Sequence, residues 1–138
     1  MKIAILAQTS NECDIIELFV RINSRYADHL YFADMSSSDA TPRILEKLRE
    51  EGYPVTAWHY PVNFNTNEIR NDSFQRVAGQ DGYDWIFLLD ADEFLTGTRN
   101  DLETKLASLP PSHCASLLWR TYVPSSDQYF EIDNPLHA

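Results

Sequence analysis

The amino-acid sequence predicts an α/β fold with a mainly parallel sheet and helices on both of its faces. Three observations carry that prediction. Short β-rich apolar runs alternate with segments of helical periodicity, in the order β-α-β-α-β-α-β-α-β. One run, Trp85-Ile86-Phe87-Leu88-Leu89, is unbroken and stops at Asp90, Asp92 and Glu93, three acids in four positions. Such a run reads as a strand buried on both faces, and in an open α/β sheet the ligand crevice lies beyond the carboxyl ends of the strands. Finally, 138 residues, 43% of them hydrophobic, suffice for one domain, spanning 1–138, with its own core.

Each element follows from local chemistry. Lys2–Ala7 is the first strand, and Gln8-Thr9-Ser10-Asn11-Glu12 a polar loop. Asn11 is placed to cap a helix whose inward face carries Ile15, Leu18, Phe19, Ile22 and Tyr26, at alternating spacings of three and four. His29–Asp34 is the second strand. A loop of small polar residues leads to Thr41-Pro42, a cap followed by proline at the first helical position, and to a helix presenting Ile44, Leu45 and Leu48 and ending near Gly52. Pro54–Trp58 is a short third strand, and Asn67–Ala78 a helix turning Ile69, Phe74, Val77 and Ala78 inward. After the acid-tipped strand, Asp101–Leu109 is a short helix stopped by Pro110-Pro111. Cys114–Val123 reads as a further strand, and 125–138 as a loop or poorly ordered end.

Composition bounds the partners. A net charge of −10 argues against nucleic acid, which rewards clustered Lys and Arg. No apolar run approaches the roughly 20 residues of a membrane span, and the N-terminal apolar stretch turns polar too soon for a signal peptide. Cys13 and Cys114 fit no metal or redox spacing and are expected to be inert and partly buried; a cytoplasmic location follows from their use. His29, His59, His113 and His137 share no ligand spacing and read as structural or solvent-exposed.

Three readings compete for the acids after Leu89. A Walker B strand needs a partner Gly-x-x-x-x-Gly-Lys-Ser/Thr loop, which the four glycines do not form. An aspartyl nucleophile belongs at the end of the first strand, where Gln8-Thr9 stand instead. The third reading is an Asp-x-Asp metal site. Carboxylates one residue apart offer hard oxygen donors to Mg²⁺ or Mn²⁺, and phosphate oxygens can complete the shell. Asp34 ends a strand expected to lie beside that of Asp90. Glu93 suits either the metal or the loop backbone.

Four stretches then resemble glycosyltransferase family 2. They are Thr9-Ser10-Asn11-Glu12, like the family's "NE" loop; Asp34-Met35-Ser36-Ser37-Ser38-Asp39-Ala40-Thr41, similar to its D-x-S-x-D-x-T; Arg70-Asn71, like its "RN"; and Leu89-Asp90-Ala91-Asp92-Glu93, like its L-D-A-D-D/E. They occur in the family's order over about residues 1–95. The resemblance implies a GT-A-like three-layer α/β/α sandwich, here its nucleotide-binding half. It implies transfer of a sugar from a nucleotide-diphospho-sugar, most often a UDP-sugar, to the hydroxyl of a glycan, lipid or protein acceptor, with inversion. Thr9 would border the uracil ring and Asp34 would accept from a base N–H, with Asp39 nearby. Asn11, Glu12, Ser36 and Ala91 would complete the donor site. Arg70 would lie near base and diphosphate, Asp90 would face ribose and metal, and Asp92 would hold the metal. Full-length members carry the base and acceptor segment well after the Asp-x-Asp, and 45 residues follow Glu93 here. The catalytic base is therefore expected outside this chain. The competing expectation is a non-catalytic module that keeps the fold for nucleotide binding or assembly.

Overall fold

A computed structural model describes residues 1–62, 64–80, 82–110, 114–118 and 120. Four strands, β1 (Ile3–Thr9), β2 (His29–Asp34), β3 (Val55–His59) and β4 (Trp85–Asp90), alternate with four helices, α1 (Ile16–Asn23), α2 (Thr41–Glu50), α3 (Thr66–Ala78) and α4 (Arg99–Ala107). All pairings are parallel, in the order β3-β2-β1-β4. Every connection between neighbouring strands therefore needs a crossover, which the helices supply.

Strand alternation sorts the core into two layers. Ile3, Ile5 and Ala7 of β1, Leu30 and Phe32 of β2, and Phe87 and Leu89 of β4 meet α1, α2 and α4 on one face. Ala4, Leu6 and Tyr31 meet Val77 of α3 on the other. The expected three-layer α/β/α architecture is what the chain adopts.

β1 runs two residues further than its apolar run, through Gln8 and Thr9. Backbone pairing decides this: Thr9 opposes Asp34 and Gln8 opposes Asp90. α3 begins at Thr66 because Asn65 forms a capping box with Glu68. α2 closes as expected at Gly52, whose φ of 96° suits glycine; its N–H donates to the Arg49 carbonyl and that of Tyr53 to the Leu48 carbonyl.

Several expectations are overturned. β4 is not buried on both faces: it is the sheet's edge among the described residues, and Leu88 is 50% exposed. Nor does β2 lie beside β4, since β1 separates them. Asn11 does not cap α1; it adopts φ 58°, and Ile15 holds the cap position. Residues 114–118 and 120 form no strand, and the rest of Cys114–Val123 lies outside the described residues, as do His113, His137 and 125–138. Cys13 and Cys114 are both exposed.

The buried stripe of α1 is also rotated from the expected one. It comprises Ile16, Phe19, Val20 and Asn23. A fully buried asparagine is admitted because both ends of its amide are used: Nδ2 donates to the Glu93 carbonyl at 3.0 Å and Oδ1 accepts from the Leu95 N–H at 3.0 Å. Nearby, the Tyr26 hydroxyl donates to the Gly97 carbonyl at 2.8 Å. α1 thus holds the loop that follows the Asp-x-Asp. Asn23→Ala leaves two backbone groups unsatisfied and is expected to destabilise the fold by about 3 kcal/mol, measured by urea denaturation.

Candidate functional site

The sheet register brings the polar residues to one edge. Thr9, Asp34 and His59 end β1, β2 and β3 as register partners, and Asp90 ends β4 opposite Gln8. With neighbouring strands about 4.8 Å apart, the ends of β2 and β4 stand roughly 10 Å from one another across β1. Thr9 and Asp34 continue the face packed by α1 and α2. Gln8 and Asp90 continue the face packed by α3, following the alternation of their strands.

On the first side, loops are clasped by hydrogen bonds. Asn11 Oδ1 accepts from the N–H groups of Ser38 (2.8 Å) and Asp39 (3.2 Å), and the Asn11 N–H donates to Ser37 Oγ at 2.9 Å. The Glu12 N–H donates to Thr41 Oγ1 at 2.8 Å. The left-handed backbone at Asn11 and Ser36, both with φ 58°, shapes these turns. Ser36 Oγ donates to the Tyr60 carbonyl at 2.6 Å. Asn11 and Ser36 therefore build the site with their side chains already engaged. Thr9 differs: it is 1% exposed, and its Oγ1 has no hydrogen-bond partner among the described residues. Such a group is rare in a folded protein and asks for a polar partner.

Asp39 accepts from the Thr41 N–H at 2.9 Å and the Cys13 N–H at 3.0 Å. Burial alone would raise its carboxyl, but these bonds outweigh it and hold the group at about 2. Glu12 is pushed the other way, by burial and then by the negative charges of Asp14, Asp92 and Asp39. That Glu12 feels Asp92 places the loop after β1 and the Asp-x-Asp loop within electrostatic reach. The Cys13 thiol is raised by its hydrogen bond with Asp39, which keeps it protonated and unreactive.

On the second side, Gln8, Arg70, Ser73, Leu88, Asp90 and Glu93 line a cleft of about 200 Å³. Arg70 Nε donates to Gln8 Oε1 at 3.3 Å, and Gln8 Nε2 donates to the Thr66 carbonyl at 2.9 Å. Among the described residues Arg70 has no acidic partner. Asp90 and Asp92 are exposed. Glu93 is engaged with the loop: its Oε2 accepts from the Asp90 N–H at 2.9 Å, and its own N–H donates to the Asp90 carbonyl at 3.0 Å. Ala91 is 4% exposed and its side chain packs in the core, leaving only its backbone to meet a ligand. No group of three or more His, Cys, Asp or Glu side chains among the described residues could hold a metal alone.

Comparison with known families settles the lineage. The family model described as "Glycosyl transferase family 2" matches residues 5–104. The chain belongs to glycosyl transferase family 2. No curated protein matches it. The family match runs from within β1 to within α4, so it covers every site residue named above. A glycosyltransferase domain is therefore the plain reading of the chain, and no described helix is long and apolar enough to cross a membrane.

Two site residues had no signal in the sequence. Gln8 read as loop, yet it ties β1 to α3 beside Arg70. His59 shares no ligand spacing with the other histidines, yet its Nδ1 lies 2.8 Å from Asp34 Oδ2. Only strand pairing reveals either.

The Asp39 clasp yields a pH signature. The carboxyl moves from its ordinary 3.8 down to about 2 on folding. Its contribution to stability is thus complete above the unfolded value and is lost as the pH falls through the folded one. The stability difference between wild type and Asp39→Asn, followed by urea denaturation from pH 6 to 2, is expected to hold constant at first and to shrink below pH 3.8.

Proposed function

We propose that this chain binds a nucleotide-diphospho-sugar, with UDP as the nucleotide, and that the sugar is transferred with inversion to an acceptor hydroxyl. One observation carries the reading. The β1 register sets the buried Thr9 hydroxyl, without a partner among the described residues, beside Asp34, and sets Gln8 and Arg70 beside Asp90. A ligand spanning the two sides must offer polar atoms to the first and an anion or hydroxyls to the second. A nucleoside diphosphate does both.

The roles follow from donor and acceptor chemistry. Asp34 accepts from the base, and Thr9 borders it. Arg70 presents a guanidinium to the diphosphate, where charge-assisted bonds are strongest. Asp90 and Asp92 are the donor set for Mg²⁺ or Mn²⁺. Their chemistry fits the cation, because both are exposed hard-oxygen donors, and Glu12, raised first by burial, is raised further by the charge of Asp92 among its neighbours. Two carboxylates alone make a weak site, so phosphate oxygens would complete the shell. The bound cation supplies Lewis-acid neutralisation of the departing diphosphate. In the reaction, the acceptor oxygen bonds the anomeric carbon as the bond from that carbon to the diphosphate oxygen breaks. The diphosphate keeps the electron pair, and the acceptor proton passes to a general base other than the residues assigned above.

Calorimetry tests this directly. UDP is expected to bind in the presence of Mn²⁺ and to lose most of its affinity in EDTA. Asp92→Ala should cut the metal-dependent affinity by at least ~100-fold, the upper end of the effect of losing an outer-sphere partner. Arg70→Ala should weaken UDP by about 1.5–3 kcal/mol, the range for a hydrogen bond to a charged group. Binding that ignores the metal, or no binding of UDP at all, refutes the assignment.

A further inference from the structure

We propose that His59 sets the base preference of the nucleotide site by fixing the Asp34 side chain so that its other oxygen accepts from the base; the inference rests on the nucleotide reading above. His59 ends β3 as the register partner of Asp34. Its Nδ1 lies 2.8 Å from Asp34 Oδ2, with the Asp34 side chain 4% exposed and that of His59 65% exposed. An ionised carboxylate has no hydrogen to give, so the imidazole carries its hydrogen on Nδ1 and donates it. Among the described residues the other oxygen, Oδ1, has only the Ser37 N–H at 3.4 Å, near the limit for a hydrogen bond. One oxygen is thus committed to the protein, and the other keeps capacity for a ligand. The pair borders a cleft of about 260 Å³ shared with Pro42, Arg49 and Thr56.

This arrangement selects between bases. Uracil presents an N–H at N3 and satisfies Oδ1. Cytosine presents a lone pair at N3 and faces the carboxylate acceptor to acceptor. Selection lasts only while Asp34 is held in place. Without the imidazole, Oδ2 loses its partner and the side chain is free to turn away, which makes the group indifferent to the base. His59 is therefore a positioning residue, acting on the ligand through Asp34.

Calorimetry with Mn²⁺ and two probes, UDP and CDP, tests the proposal on wild type, His59→Ala and His59→Asn. Wild type is expected to prefer UDP by roughly tenfold or more, the effect of one hydrogen bond to a charged group. His59→Ala should bring the two affinities together mainly by weakening UDP. His59→Asn, whose amide N–H can stand near the place of Nδ1–H, should restore most of the preference. A folded His59→Ala that keeps the wild-type UDP/CDP ratio overturns this proposal and leaves the nucleotide reading intact. Wild type that binds neither probe overturns both. Should His59→Ala not fold, proton NMR of wild type carries the test. The Nδ1–H resonance is expected to shift on adding UDP, and an unmoved resonance overturns the proposal.

Discussion

β1 is hydrogen-bonded on both sides, to β2 and to β4, and its register decides where every polar group of the site stands. Its side chains alternate between two packed layers. Ile3, Ile5 and Ala7 enter one core and Ala4 and Leu6 the other, with no exposure above 3%. A strand locked this way cannot slip by one residue, because a slip would turn its whole apolar set to the wrong face. The constraint reaches the carboxyl end, where Gln8 and Thr9 extend the pairing with no apolar side chain of their own. Gln8 inherits the α3 face with Asp90, and Thr9 inherits the α1 face with Asp34.

The loops beyond that edge are strongly acidic, and hydrogen bonds order part of them. Hydrogen bonds satisfy some of the carboxylates: Asp39 by the N–H groups of Thr41 and Cys13, Glu93 by that of Asp90. The Glu12 carboxyl is raised, first by burial and then by the charges of Asp14, Asp92 and Asp39. Arg70 is tied, among the described residues, to a neutral amide, Gln8, and has no carboxylate partner there.

Much of this was legible in the sequence. The alternation of periods located the four strands and four helices that the structure describes, because apolar spacing reports burial directly, but it also placed a strand at Cys114–Val123 where the described residues form none. The motifs pointed to Thr9, Asp34, Arg70, Asp90 and Asp92, and the structure sets the first four at the carboxyl-end edge of the sheet or in the cleft beside it, with Asp92 in the loop that follows β4. What escaped had physical reasons. Asn23 is buried, but hydropathy cannot foresee that two backbone groups 70 and 72 positions away will pair with it. Leu88 looks the same as its neighbours in an apolar run, and only the sheet order shows that its strand is at the edge. Asn11 has the composition of a cap but serves the loop at Ser37–Asp39, a contact across 26 to 28 positions. His59 meets Asp34 because two parallel strands end level, and sequence spacing carries no record of that.

The pairing of β1 with β4 bears on how the chain reaches its folded state. The Lys2 N–H donates to an Asp84 carboxylate oxygen 82 positions away, so the ends of a very long loop must be brought together before β4 can add to the sheet. The segment from β1 to β3 closes through shorter crossovers and contains Thr9, Asp34 and His59. The Asp-x-Asp loop, by contrast, gains its place only through β4 and its tie to Asn23. A chain caught with three strands assembled would carry the Thr9–Asp34 side of the candidate site without its acidic side. It would also leave an edge of β1 unpaired, the kind of surface on which partly folded chains join one another.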